Sequence, residues 1–246
     1  GDVVWERTDL GKSDWISSYT SPSLAGSVLV LGFVWQPWPL YGLDAETGQT
    51  LWSSARTEGN VSALTATGEG YVYALRHPGV LQKLVAATGE VVWATKGLAR
   101  WSPATPAVAQ GRVFVASGER VLCYEAQTGD LVWAYEHSWE GGAWPDVYPY
   151  GRGGRAILGS PVVGGERFSP APGSARGPAG PAHPVVWVAC GDGSLVALDA
   201  GTGTLRGRHG LGAPIYTTPL PVAGAMVVVD SQGVVHAVAV DTDAVS

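Results

Sequence analysis

Tryptophan, arginine and histidine gather in the non-repetitive stretches of this chain, and together those side chains suit binding better than bond-making. The expected ligand-binding set is Trp15, Trp35, Trp38, Arg76, His77, Arg100, Trp101, Trp139, Trp144 and Arg155, with Arg56, His137, Tyr148, Tyr150 and Arg152 in the same stretches. Indole faces stack, and guanidinium groups pair with carboxylate or phosphate in a fixed fork. The competing reading is a packed plug, since large apolar loop residues usually have a packing role. The 137–155 stretch, which contains Ser138-Trp139-Glu140-Gly141-Gly142-Ala143-Trp144-Pro145, exceeds ordinary loop length, and such loops are often functional.

Catalytic constellations are weak beside this. His77, His137, His183, His209 and His236 are not spaced as metal ligands on a common element, so no metal site is expected. Cys123 and Cys190 sit in apolar runs (Val-Leu-Cys-Tyr and Trp-Val-Ala-Cys), where a buried free thiol is the ordinary reading. Asp192, in Cys-Gly-Asp-Gly-Ser, reads as a hairpin turn and not as a nucleophile or ligand. No P-loop, dinucleotide fingerprint or Gly-x-Ser-x-Gly occurs, and no catalytic residue or cofactor is assigned. A small-molecule enzyme remains the alternative, drawing an acid or base from Glu58, His77, His137 or Asp146.

Totals narrow the partners. Net charge is −6 with 15 basic residues spread thinly, which disfavours nucleic acid. No apolar run approaches the ~20 residues of a membrane helix, and residues 1–5 do not read as a signal peptide. A start at Gly1, without Met, reads as an excised domain or a mature product. Three Lys against twelve Arg fit a GC-rich bacterial genome.

The elements that must position these residues are legible as a repeat. A short apolar strand leads into Thr-Gly and then a second strand ending in Trp. The unit reads Tyr-Gly-Leu-Asp-Ala-Glu-Thr-Gly-Gln-Thr-Leu-Trp at 41–52, Leu-Val-Ala-Ala-Thr-Gly-Glu-Val-Val-Trp at 84–93 and Tyr-Glu-Ala-Gln-Thr-Gly-Asp-Leu-Val-Trp at 124–133. At 195–207 Gly207 replaces the Trp, and a last copy at 236–243 stops at the turn. Gly48, Gly89, Gly129 and Gly203 are separated by 41, 40 and 74 residues. A period near ~40 with four short strands is the sequence form of a propeller blade.

The long step holds a single Ser-Pro-Val-Val start (160–163) and a single Thr-Gly, so it predicts one enlarged blade. The fold class is therefore all-β, a five-bladed β-propeller of four-stranded antiparallel blades. Residues 1–246 form one domain with blades near 15–52, 61–93, 103–133, 157–207 and 214–240 plus 1–6. In this reading Asp2–Glu6, with Trp5, is the outer strand that completes the last blade and closes the ring, leaving no open sheet edge. Second strands are expected at Val28–Leu31, Tyr71–Leu75, Val113–Ala116, Val185–Ala189 and Met226–Val229, each after a Gly or a Pro/Gly stretch. The between-blade loops and the loops joining second to third strands then share one face, which collects the Trp/Arg set. The Pro/Gly/Ala stretch 169–184 should emerge on the opposite face as a spacer.

These units resemble the pyrroloquinoline-quinone-type repeat of quinoprotein-like β-propellers, whose docking motif is A-x-D-x-x-T-G-x-x-x-W. Asp44, Thr47, Gly48 and Trp52 match it, as do Ala197, Asp199, Thr202 and Gly203 without the Trp. Blades two and three keep Thr88, Gly89, Trp93 and Thr128, Gly129, Trp133 but carry Val85 and Glu125 at the Asp position. The quinone dehydrogenases of that superfamily have an adjacent Cys–Cys pair, about eight blades and an Asp/Glu/Asn calcium set. Here the two Cys are far apart and Asn60 is the only Asn, so no quinone cofactor is expected. The resemblance implies a non-catalytic scaffold or sensor domain that binds a protein partner or small-molecule ligand on its aromatic/Arg face. It also leans toward an extracytoplasmic location.

Overall fold

A computed structural model describes residues 1–10, 20–33, 39–54, 64–99, 102–139, 156–164 and 184–240. The chain divides into two compact units, Gly1–Pro106 and Ala107–Ser246. All regular elements among the described residues are strands, so no helix there is long and apolar enough to cross a membrane.

The first unit holds two sheets. Sheet one runs β1 (Ser23–Ala25), β2 (Val28–Leu31), β3 (Tyr41–Asp44) and β4 (Thr50–Ser53) in spatial order. Sheet two runs β5 (Thr65–Ala66), β6 (Tyr71–Arg76), β7 (Val80–Val85) and β8 (Val91–Thr95). The second unit holds three. Sheet three is β9 (Ala107–Ala109), β10 (Arg112–Ser117), β11 (Arg120–Glu125) and β12 (Leu131–Glu136). Sheet four is β13 (Val162–Val163), β14 (Val185–Ala189), β15 (Ser194–Asp199) and β16 (Leu205–Gly210). Sheet five has three strands, β17 (Leu220–Val222), β18 (Ala225–Val229) and β19 (Val235–Ala239).

Every pair is antiparallel and sequential, which is the up-and-down meander of a propeller blade. The doubled step between Gly129 and Gly203 yields one sheet among the described residues, as the single Ser-Pro start and single Thr-Gly predict. Residues 2–6 carry no strand, and the fifth sheet therefore has three strands among the described residues.

Burial grades across each sheet. The two inner strands are apolar and nearly continuous in burial, notably β14 and β15, whereas the fourth strands are largely exposed. In the first unit Ala25, Val28, Val30, Leu64, Val72 and Leu84 join sheets one and two in one core. In the second, Trp187, Ile215, Met226 and Val228 do the same for sheets four and five.

The repeat motif acts as a lock between successive sheets. Trp52 of β4 donates its Nε1–H to the Ala86 carbonyl at 2.7 Å and lies across Gly89 in the turn after β7. Trp133 of β12 does the same to Ala200 at 3.0 Å and to Gly203. Gly89 and Gly203 have φ of +72° and +73°, a conformation glycine adopts freely. A methyl on Gly203 would sit 2.6 Å from the Trp133 indole, so hydrogen at that position is what lets the ring lie flat.

The Asp and Thr of the motif shape the same turn. Asp44 Oδ1 accepts from the Glu46 and Thr47 N–H groups and the Thr47 hydroxyl, and these bonds, the hydroxyl's foremost, hold its carboxyl below the usual range. Asp199 Oδ1 makes the equivalent set with Gly201 and Thr202. In all four turns the Thr hydroxyl oxygen accepts from the N–H two residues on, at Gln49, Glu90, Asp130 and Thr204. Where Val85 or Glu125 stands at the Asp position this bond is kept, and Thr128 also donates its hydroxyl to Asp130.

Candidate functional site

Within each unit, the segment leaving a fourth strand lies against the hairpin joining the second and third strands of its own sheet. Leu98 N–H donates to Gly79 O, Ile157 N–H to Gly118 O and Leu211 N–H to Gly193 O. The approach is close. A methyl on Gly193 (φ +80°) would lie 2.6 Å from the Ala213 carbonyl oxygen, and one on Gly79 would overlap that of Leu98. Between-blade segments and hairpins therefore meet at the same end of sheets two, three and four, the end at which the sequence reading puts the Trp/Arg loops.

In the second unit this end is fastened by a buried polar cluster. The Asp192 side chain, in the β14–β15 hairpin, is fully buried, as is the His137 ring just past β12. His137 Nε2 lies 2.9 Å from Asp192 Oδ2, and Arg208 of β16 donates from Nη2 to the same oxygen at 2.6 Å. Asp192 Oδ1 accepts from the Ser194 N–H at 3.0 Å and from the Ser194 hydroxyl. Arg208 also reaches the Ser138 carbonyl at 3.1 Å, while Tyr135 Oη stands 3.4 Å from His137 Nδ1. Burial alone would raise the Asp192 carboxyl. The bonds from His137 and Ser194, with the charge of His137, outweigh burial and hold it well below the usual carboxylate range.

These partners decide what the cluster can do. His137, Cys190 and Asp192 present donor atoms within 4.8 Å of one another, a spacing that could suit a metal ion. Yet Asp192 is engaged through both oxygens, and the Arg208 guanidinium already occupies the cationic position beside it. Burial, then the nearby Asp192 charge, raise the Cys190 thiol, which disfavours the thiolate a metal would need. Nor is Ser194 an activated nucleophile, because its hydroxyl donates to Asp192 and stands 3.4 Å from His137. The arrangement is a clamp that ties residues 137–138, the 190–194 hairpin and β16 together.

Trp139 continues from the clamp. Its ring meets His137 edge-on, with centroids 4.7 Å apart at 87°, and its buried Nε1–H has no hydrogen-bond partner among the described residues. In the first unit Arg76 ends β6 as a buried residue, and half-exposed His77 follows it at the hairpin. The other sequence-predicted binding residues, Trp15, Trp35, Trp38, Arg100, Trp101, Trp144 and Arg155, lie outside the described residues. Of the other tryptophans, Trp52 and Trp133 make the inter-sheet lock, Trp5 makes the same contact to Ala45 O and Gly48 of sheet one, and Trp187 is fully buried in β14 with its Nε1–H on Gly164 O. The thiols of Cys123 and Cys190 are free and buried, and burial pushes the Cys123 thiol up to about 12.

The clamp itself was missed by sequence reasoning, which read Asp192 as a turn residue and named His137 only as a loop-face and acid/base candidate. Arg208 lies 16 residues from Asp192 and His137 lies 55 away, so no local spacing announces them. The one available signal was an Asp-Gly-Ser hairpin facing a fourth strand in which Arg-Gly-Arg replaces the expected Trp.

Five antiparallel meander sheets carrying the Thr-Gly…Trp lock define a quinoprotein-like repeat β-propeller. The chain belongs to the family described as outer membrane protein assembly factor BamB, whose model matches residues 39–160 and 163–245. Among solved structures, BamB from Moraxella catarrhalis superposes with a TM-score of 0.62 at 20% identity, over 86% of this chain and 54% of that one. The computationally designed Ika8 protein gives 0.60 at 15% identity, over 89% and 57%. Quinohemoprotein alcohol dehydrogenase from Comamonas testosteroni gives 0.56 at 16%, over 87% and 41%. The chain thus spans about half the length of the BamB structure it resembles. No curated protein sequence matches it significantly.

Proposed function

We propose that this chain is a protein-binding scaffold propeller, part of a larger extracytoplasmic protein, whose partner docks on the loop face carrying the Trp/Arg set. The His137–Asp192–Arg208 clamp carries this reading. It holds residues 137–138 in place, offsets the buried Asp192 carboxylate with the Arg208 guanidinium, and sets the Trp139 ring edge-on against His137 at the start of the Trp/Arg-rich stretch. A rigid frame beneath aromatic and guanidinium side chains is how a protein surface prepares a hot spot cheaply in entropy. The partner this chemistry selects offers carboxylates flanked by apolar side chains. The family description, an assembly factor, agrees with a binding role.

The test is the double variant Trp101→Ala/Arg155→Ala in the full-length protein from its own cells. The account predicts an unchanged melting curve and loss of a co-purifying protein that the wild type retains. A variant that unfolds would assign these residues to packing, and one that keeps every partner would refute the face.

A further inference from the structure

The same place between neighbouring sheets is filled in the first unit and hollow in the second. Between sheets one and two, Ala25, Val28 and Val30 pack with Ala66 and Ala86 in the apolar core, and Val28 is 7% exposed. Between sheets three and four the matching residues are Ala109, Arg112 and Phe114 on one side, Val163 and Ala200 on the other. The ladders fix that correspondence. Val28 pairs with Ala25 and Asp44, as Arg112 does with Ala109 and Glu125. Ala66 pairs with Val72, as Val163 does with Val186. Ala86 and Ala200 each accept the lock indole's N–H from the preceding sheet. In the second unit these five residues line a cavity of about 150 Å³.

Two exchanges set this place apart. Arg112 stands where sheet one has Val28, Glu125 where it has Asp44, and the two form an ion pair across one rung. That pair is half-exposed, and such pairs add little stability, so packing alone gives no reason for the exchange. The lock beside the cavity is intact, with the Phe114 and Trp133 rings 5.9 Å apart and Trp133 bonded to Ala200 O. The hollow is therefore not a failure of the two sheets to meet. Gln110 lines it too, at a φ of +48° where sheet one has Gly26, and no other non-glycine among the described residues has a positive φ. Backbone strain of this kind collects at ligand sites.

We propose that this cavity binds a short-chain monocarboxylate, its carboxylate on the Arg112 guanidinium and its alkyl tail against Phe114, Val163 and Pro184. Glu125 meets the guanidinium at Nη1, and the planar fork has further N–H groups to give. A carboxylate matches that fork as a second partner. The aromatic and aliphatic wall opposite suits a hydrocarbon tail and not a second charge. A hollow of this size holds about six non-hydrogen atoms, the size of isobutyrate, and is too small for a drug-sized ligand. The site lies at the end of sheets three and four opposite the 190–194 hairpin, away from the clamp and the loop face above it.

Titration of the isotope-labelled 246-residue chain with isobutyrate, followed by amide resonances, tests the site. Residues 109–112 and 200–201 should shift saturably, with half-saturation at about 1 mM. Isobutyramide has the same shape without the charge and should leave them in place. Arg112→Val/Glu125→Asp installs the sheet-one pair, and it should fold as stably as the wild type and lose the shifts. Arg112→Gln keeps a polar side chain and should weaken binding about tenfold or more. Absence of a saturable shift at these residues, equal shifts with isobutyramide, or full binding by either Arg112 variant would overturn the proposal.

Discussion

Alanine at Gly89 should weaken the first unit far more than alanine at Gly26, although both glycines have a left-handed φ, +72° and +62°. Nothing lies within 4 Å of a methyl placed on Gly26, so Gly26→Ala meets only the conformational penalty, about 1–2 kcal/mol. At Gly89 the same penalty is joined by eviction of the Trp52 indole. That breaks the 2.7 Å bond to Ala86 O, worth about 1 kcal/mol, and re-exposes indole surface worth about 1–2 kcal/mol. The expected loss for Gly89→Ala is therefore about 3–5 kcal/mol. Urea titration followed by far-ultraviolet circular dichroism reads the difference directly, and the melting temperature should separate the two variants by about 4–12 °C. In a Trp52→Ala background the cost of Gly89→Ala should fall back to that of Gly26→Ala, because the evicted ring is gone. If Gly89→Ala is no worse than Gly26→Ala, or if its cost survives removal of Trp52, the lock is not what holds these sheets together.

Asp192→Asn should destabilise the second unit by about 3 kcal/mol near neutral pH, the scale for breaking a buried ion pair. Because the Asp192 carboxyl is held low in the fold, its contribution is intact above about pH 4 and is lost as pH falls through its folded value. Acid titration of stability should therefore be shallower in the Asp192→Asn variant, and parallel acid limbs would refute the clamp. Gly193→Ala, whose methyl would meet the Ala213 carbonyl, should cost clearly more than Gly212→Ala, which has a positive φ but open space, in the same denaturation assay. Cys123 and Cys190 should resist a thiol-specific chromogenic reagent at pH 8 in the native protein and both react in denaturant, as buried thiols raised by desolvation do. Rapid native labelling of either would contradict their burial.

Much of the scaffold was legible because its signals are local. The apolar runs at Val28–Leu31 and Val185–Ala189 coincide with β2 and β14, since uninterrupted β-branched residues bounded by glycine or proline suit a strand buried on both faces. The Thr-Gly turns and their tryptophans fall where the repeat puts them because each turn is closed by residues within four positions of one another. First strands were less legible. β1 has three residues and β5 two, and strands that short have too little periodicity to bound them. The clamp was illegible for a different reason. Asp192 and Arg208 meet only once β15 and β16 pair, His137 arrives from the neighbouring sheet, and an isolated His, Asp or Arg reads as a surface charge until its partner is known. Gly193 looked like an ordinary hairpin glycine, whereas the Ala213 backbone is a second, non-local reason that it must be glycine.

The most direct test of a partner on the loop face is a hydroxyl-radical footprint of the tryptophans, in the full-length protein alone and with its co-purified partner. Trp101, Trp139 and Trp144 should lose at least half their oxidation rate in the complex, while Trp5, Trp52 and Trp133 remain as they were. Protection confined to the outer-strand tryptophans, or unchanged rates throughout, would contradict it.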